Sequence, residues 1–242
     1  MPLLGETSMK QFGMERKTIT TVILPCGSVE EHGPHLPLCT DTRHVEEIAR
    51  RAAQRVPVWV APSLSYGLCR STSQHPGTVG IRASTLDALI KDLVRSFYRQ
   101  GLKQVIILSG HAGTTHMAVL VNAGEELIEE LKELKIAVLS VLELGKKVWK
   151  DLQEIPGDSH AGEIETSVML YLEPDLVRGF GEEEYPSFPN YILVRNKRYF
   201  WPGGVWGCPR AATKEKGRVL IERSVEALVE LVLELNRWTE PL

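Results

Sequence analysis

The stretch "GSVEEHGPHLPLCTD", residues 27–41, gathers Glu30, Glu31, His32, His35 and Asp41 into one short run. Two prolines and two glycines interrupt it, so neither a regular helix nor a long strand suits it. Imidazole and carboxylate together ligate zinc, manganese or iron. In an extended segment, residues two apart point the same way, so Glu30 and His32 can address one site. Gly33 and the prolines then turn the chain, and Asp41 returns just ahead of a helical pattern. Two roles are open to Asp41. It can cap that helix, or it can bridge two cations, because each carboxylate oxygen offers its own lone pairs.

The chain's other histidines extend the theme. All seven, His32, His35, His44, His75, His111, His116 and His160, lie in the first two thirds of the sequence. "SGHAGTTH" (109–116) sets His111 between Gly110 and Ala112-Gly113; glycines there either make a tight turn or let the backbone approach a ligand. "GDSHAGE" (157–163) carries His160, and "EIETS" behind it carries Glu163 and Glu165. "RSTSQHPGT" (70–78) offers Ser71, Thr72, Ser73 and His75, either as a hydrogen-bonded loop or as substrate contacts. Arg70 beside them is either an exposed cation or an anion contact.

The surrounding elements decide whether these clusters can meet. Buried-strand patterns occur at 20–27, 58–64, 103–110 and 136–144. Helical periodicity occurs at 42–56, 85–101, 116–134, 163–172 and 214–238, with Ser84 or Thr85 expected to cap the second of these and Gly101 to stop it. This alternation predicts an α/β domain spanning 1–242, a mostly parallel sheet covered by helices on both faces in three layers. Ligands of such sheets collect beyond the carboxyl ends of the strands, and three of the clusters follow predicted strands. The stretch 174–190 reads as a loop, and the aromatic, glycine-rich segment 199–209 as too irregular for a core element.

Composition excludes several classes. Apolar residues make up 43 % of the chain and the net charge is −3, enough for a core and without a basic surplus for nucleic acid or anionic membrane. No apolar run reaches the roughly 18 residues that span a bilayer, so the cytoplasm is the expected location. Cys26, Cys39, Cys69 and Cys208 form no C-x-x-C pair and read as reduced thiols.

"LPCGSVEEHGPHLPLCTD", "SGHAGTTH", "DSHAGEIETS" and "GVWGCPRAATKEKG" together resemble the creatininase (creatinine amidohydrolase) family, in order over nearly the whole chain. The resemblance implies a creatininase-like fold, a site for two divalent metal ions (zinc first, manganese or iron as alternatives), a small-molecule substrate and a homo-oligomer, often a hexamer. Carried over, Glu30, His32, Asp41 and His111 become metal ligands, with Asp41 as the bridge, and His160 the catalytic histidine. The implied reaction is hydrolysis of a C–N bond in a small cyclic amide or formamide. Two cations on a bridging carboxylate would make hydroxide available for it, with either the second ion or a backbone N–H near Gly110–Gly113 stabilising the oxyanion. Ser73 and His75 of the polar loop are the candidate substrate contacts, with the hydrogen-bonded loop as the other reading.

The chain also departs from creatininases. Their glutamate ligand two residues after the matching histidine is Gly113 here, so Glu165, with Glu163 as second choice, is the expected replacement. Their substrate-side aromatics are Ala112 and Pro156 here, which argues against creatinine. The same metal site would also serve deformylation of a nucleotide-like formamide or opening of a cyclic carbonyl compound, and a non-catalytic metal or small-molecule binder is the alternative from another class.

Overall fold

The computed structural model describes residues 3–239. After a short helix α1 (Met9–Glu15), the chain alternates β1 (Thr21–Cys26), α2 (Thr40–Ala52), β2 (Trp59–Val60), α3 (Ala83–Arg99), β3 (Gln104–Ser109), α4 (Thr114–Glu130) and β4 (Lys135–Ser140). Two short helices follow, α5 (Val141–Leu144) and α6 (Lys146–Leu152), then α7 (Glu163–Leu172), α8 (Lys197–Phe200) and the long α9 (Lys214–Arg237). The sheet runs β2-β1-β3-β4 with every pairing parallel.

Strand alternation divides the core into two layers. Ile23, Ile106 and Leu108 pack toward α2, α7 and α9. Val22, Leu24, Val105 and Ile107 pack toward α3 and α4 on the opposite face. Both faces are therefore apolar, as a parallel sheet covered by helices requires. No helix of the described residues is long and apolar enough to cross a membrane.

Register places the polar loops. Cys26 pairs with Ser109, and Ser109 with Ser140, so β1, β3 and β4 end level at one edge. The loops after β1 and β3 leave side by side, tied by Gly110 N–H donating to the Cys26 carbonyl at 2.7 Å. The first turn of α2 is pressed onto both loops. A Cβ on Gly27 would lie 2.1 Å from Thr42 Oγ1, and one on Gly110 would lie 2.1 Å from the Asp41 carbonyl oxygen. Only glycine permits that approach, and it carries Asp41 to the sheet edge.

Several expectations are corrected. The run at 136–144 does not continue as strand past Ser140. The Ser140 side chain accepts from Glu143 N–H and the Glu143 carboxylate accepts from Ser140 N–H, a capping box that starts α5. Neither Ser84 nor Thr85 caps α3, which begins two residues earlier than expected, at Ala83, with Arg82 at the cap position. Asp41 does not cap α2 either; Cys39 holds that position, which leaves the Asp41 carboxylate free for the site. The segment 199–209 has no regular strand, yet Trp201, Val205 and Cys208 are buried, Val205 against Leu36, Ala161 and Met169.

His44 lies buried within α2, and its Nε2 has no partner. Burial pushes its pKa down to about 4 from the ordinary 6.5. The unfolded chain thus takes up a proton before the folded one, so stability is unaffected above about pH 6.5 and falls as the pH drops toward about 4. At ~1.4 kcal/mol per unit the loss amounts to ~3 kcal/mol. His44→Leu is expected to remove that share of the acid sensitivity. Urea unfolding of both proteins at pH 7 and pH 4, with chelator present, measures it; equal losses would contradict the assignment.

Candidate metal centre

The site is built at the level edge of the sheet. Glu30 and His32 stand on the loop after β1, Asp41 in the first turn of α2, His111 on the loop after β3, and His160 and Glu165 on either side of the start of α7. Glu30, His32, Asp41, His111 and Glu165 are all buried.

Hydrogen bonds to the backbone set which nitrogen of each imidazole is free. His32 Nδ1 donates to the Glu30 carbonyl at 3.1 Å, so Nε2 carries the lone pair. It faces Asp41 Oδ1 at 3.2 Å and Glu165 Oε2 at 3.7 Å. His111 Nε2 donates to the Leu68 carbonyl at 3.3 Å, leaving Nδ1 free. That atom faces Glu30 Oε2 at 2.7 Å and Asp41 Oδ2 at 3.3 Å. Glu30 Oε2 has no hydrogen-bond donor of its own. Lone pairs of nitrogen and carboxylate oxygen repel at such distances unless positive charge lies between them.

Asp41 divides the site into two halves. Its Oδ1 belongs with His32 and Glu165, its Oδ2 with His111 and Glu30. Oδ2 also accepts from Ser28 Oγ at 2.6 Å, which fixes the carboxylate plane. Glu30 Oε1 is fixed likewise by the hydroxyl of Thr72. Cys69 joins the Glu30–His111 half, and His160 joins the His32–Glu165 half, with the ligand atoms of each trio within 4.8 Å of one another.

The electrostatics agree with this geometry. Burial works against charge on Asp41, but His32 and His111 outweigh it and hold the carboxyl well below its usual range. Burial also opposes charge on His32, yet Asp41, Glu165 and Glu30 raise its pKa to about 10. For His111, Glu30 and Asp41 likewise override burial and raise the pKa well above the ordinary value. Three carboxylates with two imidazoles in a buried pocket call for cations, and protons fill that role in the absence of metal.

Two further buried histidines brace the loops that carry these residues. His116 accepts from Leu68 N–H at Nδ1 and lies 3.1 Å from Ser109 Oγ at Nε2. Ser109 Oγ in turn donates to the His111 carbonyl at 2.7 Å. Burial and the neighbouring His111 push the His116 pKa down to about 3, so it stays neutral. His35 Nε2 contacts Thr166 Oγ1 at 2.8 Å, which ties the first loop to α7.

His160 sits outside the helix, as the glycines around it require. Gly162 occupies the cap position of α7, and His160 pairs through its backbone with Trp206. Its Nε2 donates to the Glu31 carbonyl at 2.8 Å, and its ring lies 4.3 Å from that of His32. Ala161 behind it is buried with φ +49°, a left-handed conformation costly for a residue with a Cβ. Its N–H donates to Glu165 Oε2 at 2.6 Å, so the strained turn and the carboxylate hold each other.

Glu163 and Glu165 separate cleanly. Glu163 turns away, accepting from Glu154 and Ile155 N–H and pairing with Lys216 at 2.5 Å. Glu165 is the one brought to His32. Ser73 is not brought to the site: it is exposed and donates to the Arg70 carbonyl at 3.1 Å. Its neighbour Thr72 makes the contact instead. His75 is buried, but its Nε2 donates to the Trp201 carbonyl at 2.6 Å, so it clamps the 199–209 segment. The Gly110 N–H is spent on Cys26 and offers nothing to an oxyanion, while Gly113 caps α4 beneath the His111 ring. The sequence assigns no site role to Ser28 or Cys69 and reads Thr72 only as one of several polar loop residues, since their contacts join segments that no spacing rule connects.

The comparisons with known proteins follow this geometry. A family model described as creatinine amidohydrolase matches residues 5–232. The mycofactocin precursor peptide peptidase of Mycobacterium ulcerans is 29 % identical over 99 % of this chain and 94 % of its own. The creatinine amidohydrolase of Pseudomonas putida is 26 % identical over 96 % of each. A crystal structure of creatininase superposes with a TM-score of 0.89 at 25 % identity, covering 98 % of both chains. Manganese and Zn–Zn forms of creatininase superpose at 0.88 and 0.87, with 26 % and 25 % identity, each over 96 % of this chain and 97 % of its own. With its three-layer α/β/α fold and a family-model match over nearly the whole chain, this protein belongs to the creatininase family of hydrolases.

Proposed function

We propose that this chain acts as one catalytic domain, a divalent-metal-dependent amidohydrolase that cleaves a C–N bond of a small amide or formamide other than creatinine. The observation that carries the reading is the convergence of two free imidazole nitrogens and three buried carboxylates on either side of Asp41. Glu30 and His111 would hold one ion, His32 and Glu165 the other, and Asp41 both. Divalent cations bound there supply Lewis acidity, which lowers the pKa of water and polarises a carbonyl.

The remaining work falls to the chain's own groups. Ser28 and Thr72 keep the Asp41 and Glu30 carboxylates in place. His160 holds a proton on Nε2 beside the site, where it donates to the Glu31 carbonyl and must leave that partner to reach a substrate. Burial and His32 oppose that proton, while Glu31 and Glu165 favour it and leave the pKa raised. An imidazole so placed can protonate a departing nitrogen near neutral pH. Trp201 packs edge-on against His160 at 5.2 Å, and Trp206 against Trp201 at 5.8 Å. The shape of the amide is a separate matter. An apolar cavity of about 270 Å³ adjoins these tryptophans, and it favours a second reading in which the bond cleaved is a peptide amide.

A panel of cyclic ureas, lactams, imides, formamides and short peptides, assayed with zinc and with manganese, tests the proposal. Turnover dependent on metal is expected for at least one amide class and negligible turnover for creatinine; comparable creatinine turnover, or none with any amide, would refute it.

Metal content after dialysis tests the ligand set. Asp41→Ala is expected to lose both ions, His111→Ala one. An Asp41→Ala protein that keeps two tight ions removes the bridging role. Glu165→Gln is expected to lose one ion, whereas Glu163→Gln keeps both and is destabilised by about 3 kcal/mol, the order of cost for breaking a buried ion pair. The reverse pattern would exchange the two residues. His160→Ala is expected to keep both ions and lose about 10²–10⁴-fold in single-turnover rate; loss of an ion with the rate would make it a ligand instead.

A further inference from the structure

We infer that the cavity beside His160 receives a substrate group that is apolar and ends in a carboxylate, as in an N-acyl amino acid or a peptide terminus with an apolar side chain. The inference rests on the amidohydrolase reading above and names its substrate class. The cavity has a volume of about 270 Å³ and is lined by Ser71, Phe188, Leu193, Lys197, Trp201 and Trp206 among others. Trp201 is shared with the catalytic edge. Its ring meets that of His160 at 5.2 Å and that of Trp206 at 5.8 Å, both edge-on. Trp201 is therefore the side chain that links the cavity wall to the proposed proton donor.

The walls are built rather than incidental. His75 holds the Trp201 carbonyl at 2.6 Å, and Trp201 Nε1 donates to the Val205 carbonyl at 2.7 Å. Gln74 accepts from Lys197 N–H at 2.6 Å and donates to the Arg195 carbonyl at 3.0 Å. The loop carrying Arg70 and Ser71 is thereby stitched to the segment carrying Lys197. The outer rim stays open, with Leu193 98 % exposed.

The cationic end is what selects the ligand. Lys197 lines the cavity, and its Nζ donates to the Arg70 carbonyl. An ammonium has three donors, so others remain for a ligand. Among the described residues no carboxylate lies within salt-bridge distance of Lys197 or Arg70. Burial, and then the Arg70 charge, lower the Lys197 pKa. Lys197 in the apolar wall, with the Arg70 charge near it and no acid paired with either, is complementary to an anion with an apolar stem. A carboxylate meets both requirements, and the wall has no counterpart for a wholly polar ligand.

Binding is read from the fluorescence of Trp201 and Trp206 during titration of the metal-loaded protein with 4-phenylbutyrate and with its uncharged amide. The acid is expected to bind about tenfold more tightly, the scale of one charge-assisted hydrogen bond. Lys197→Met should abolish that preference, Arg70→Met should reduce it, and Lys197→Arg should keep it. Equal affinity for acid and amide, no saturable change with either, or an undiminished preference in Lys197→Met would overturn the inference. Turnover is followed in the same samples with N-formyl-L-leucine, Ala-Ala-Leu and their methyl esters. Preference for either free acid over its ester supports the inference, and which acid is preferred tells a small N-acyl amino acid from a peptide terminus. Ester and acid turned over alike would sink the inference while leaving the amidohydrolase reading standing; loss of all metal-dependent turnover would sink the latter.

Discussion

The carboxylate of Asp41 lies between two imidazoles, and nearly everything around the site serves to keep it there. It reaches that place because α2 starts almost in contact with the loops after β1 and β3, an approach that Gly27 and Gly110 alone allow. Any side chain at either position would push the helix off the sheet edge and draw Asp41 away from both His32 and His111. Ser28 then fixes the carboxylate plane. The fold's parallel register, with Cys26 level with Ser109, is what brings those two loops together at all.

This arrangement concentrates negative charge where water is excluded, which costs free energy unless cations compensate. The protein accepts that cost with firm supports. Each free imidazole nitrogen is selected by a backbone hydrogen bond on the opposite nitrogen, and the carboxylates are held by Ser28, Thr72 and the Ala161 N–H. Ala161, at φ +49°, turns the chain so that His160 stays outside α7 while Glu165 points inward. Glu165, from α7, is the carboxylate that this bend brings within 3.7 Å of His32 Nε2.

Much of this was legible in the sequence. Hydrophobic periodicity located the alternating strands and helices, and Glu30, His32, Asp41, His111 and Glu165 were all named from their motifs. What escaped had physical reasons. "VLEL" after Ser140 is as apolar as a strand, and only the Ser140–Glu143 side-chain exchange turns it into a helix. Gly110 looked like a ligand-facing backbone, but its N–H belongs to the sheet and its missing Cβ makes room for Asp41. Ser73 and Thr72 are neighbours of similar chemistry; which of them points inward is decided by a contact with Glu30 far along the chain. Cys69 had no spacing signal because its neighbours Glu30 and His111 come from separate loops. The burial of 199–209 was equally hidden, since Trp201 is held by His75 rather than by any regular pattern.

The central claim is that Asp41 is shared by two cations. Electron paramagnetic resonance of the protein titrated with manganese(II) tests it most directly. Two ions sharing one carboxylate are magnetically coupled, so two equivalents per chain should give a multiline, exchange-coupled spectrum in place of the six-line signal of isolated manganese. A spectrum of uncoupled ions, or saturation at a single ion per chain, would contradict the account.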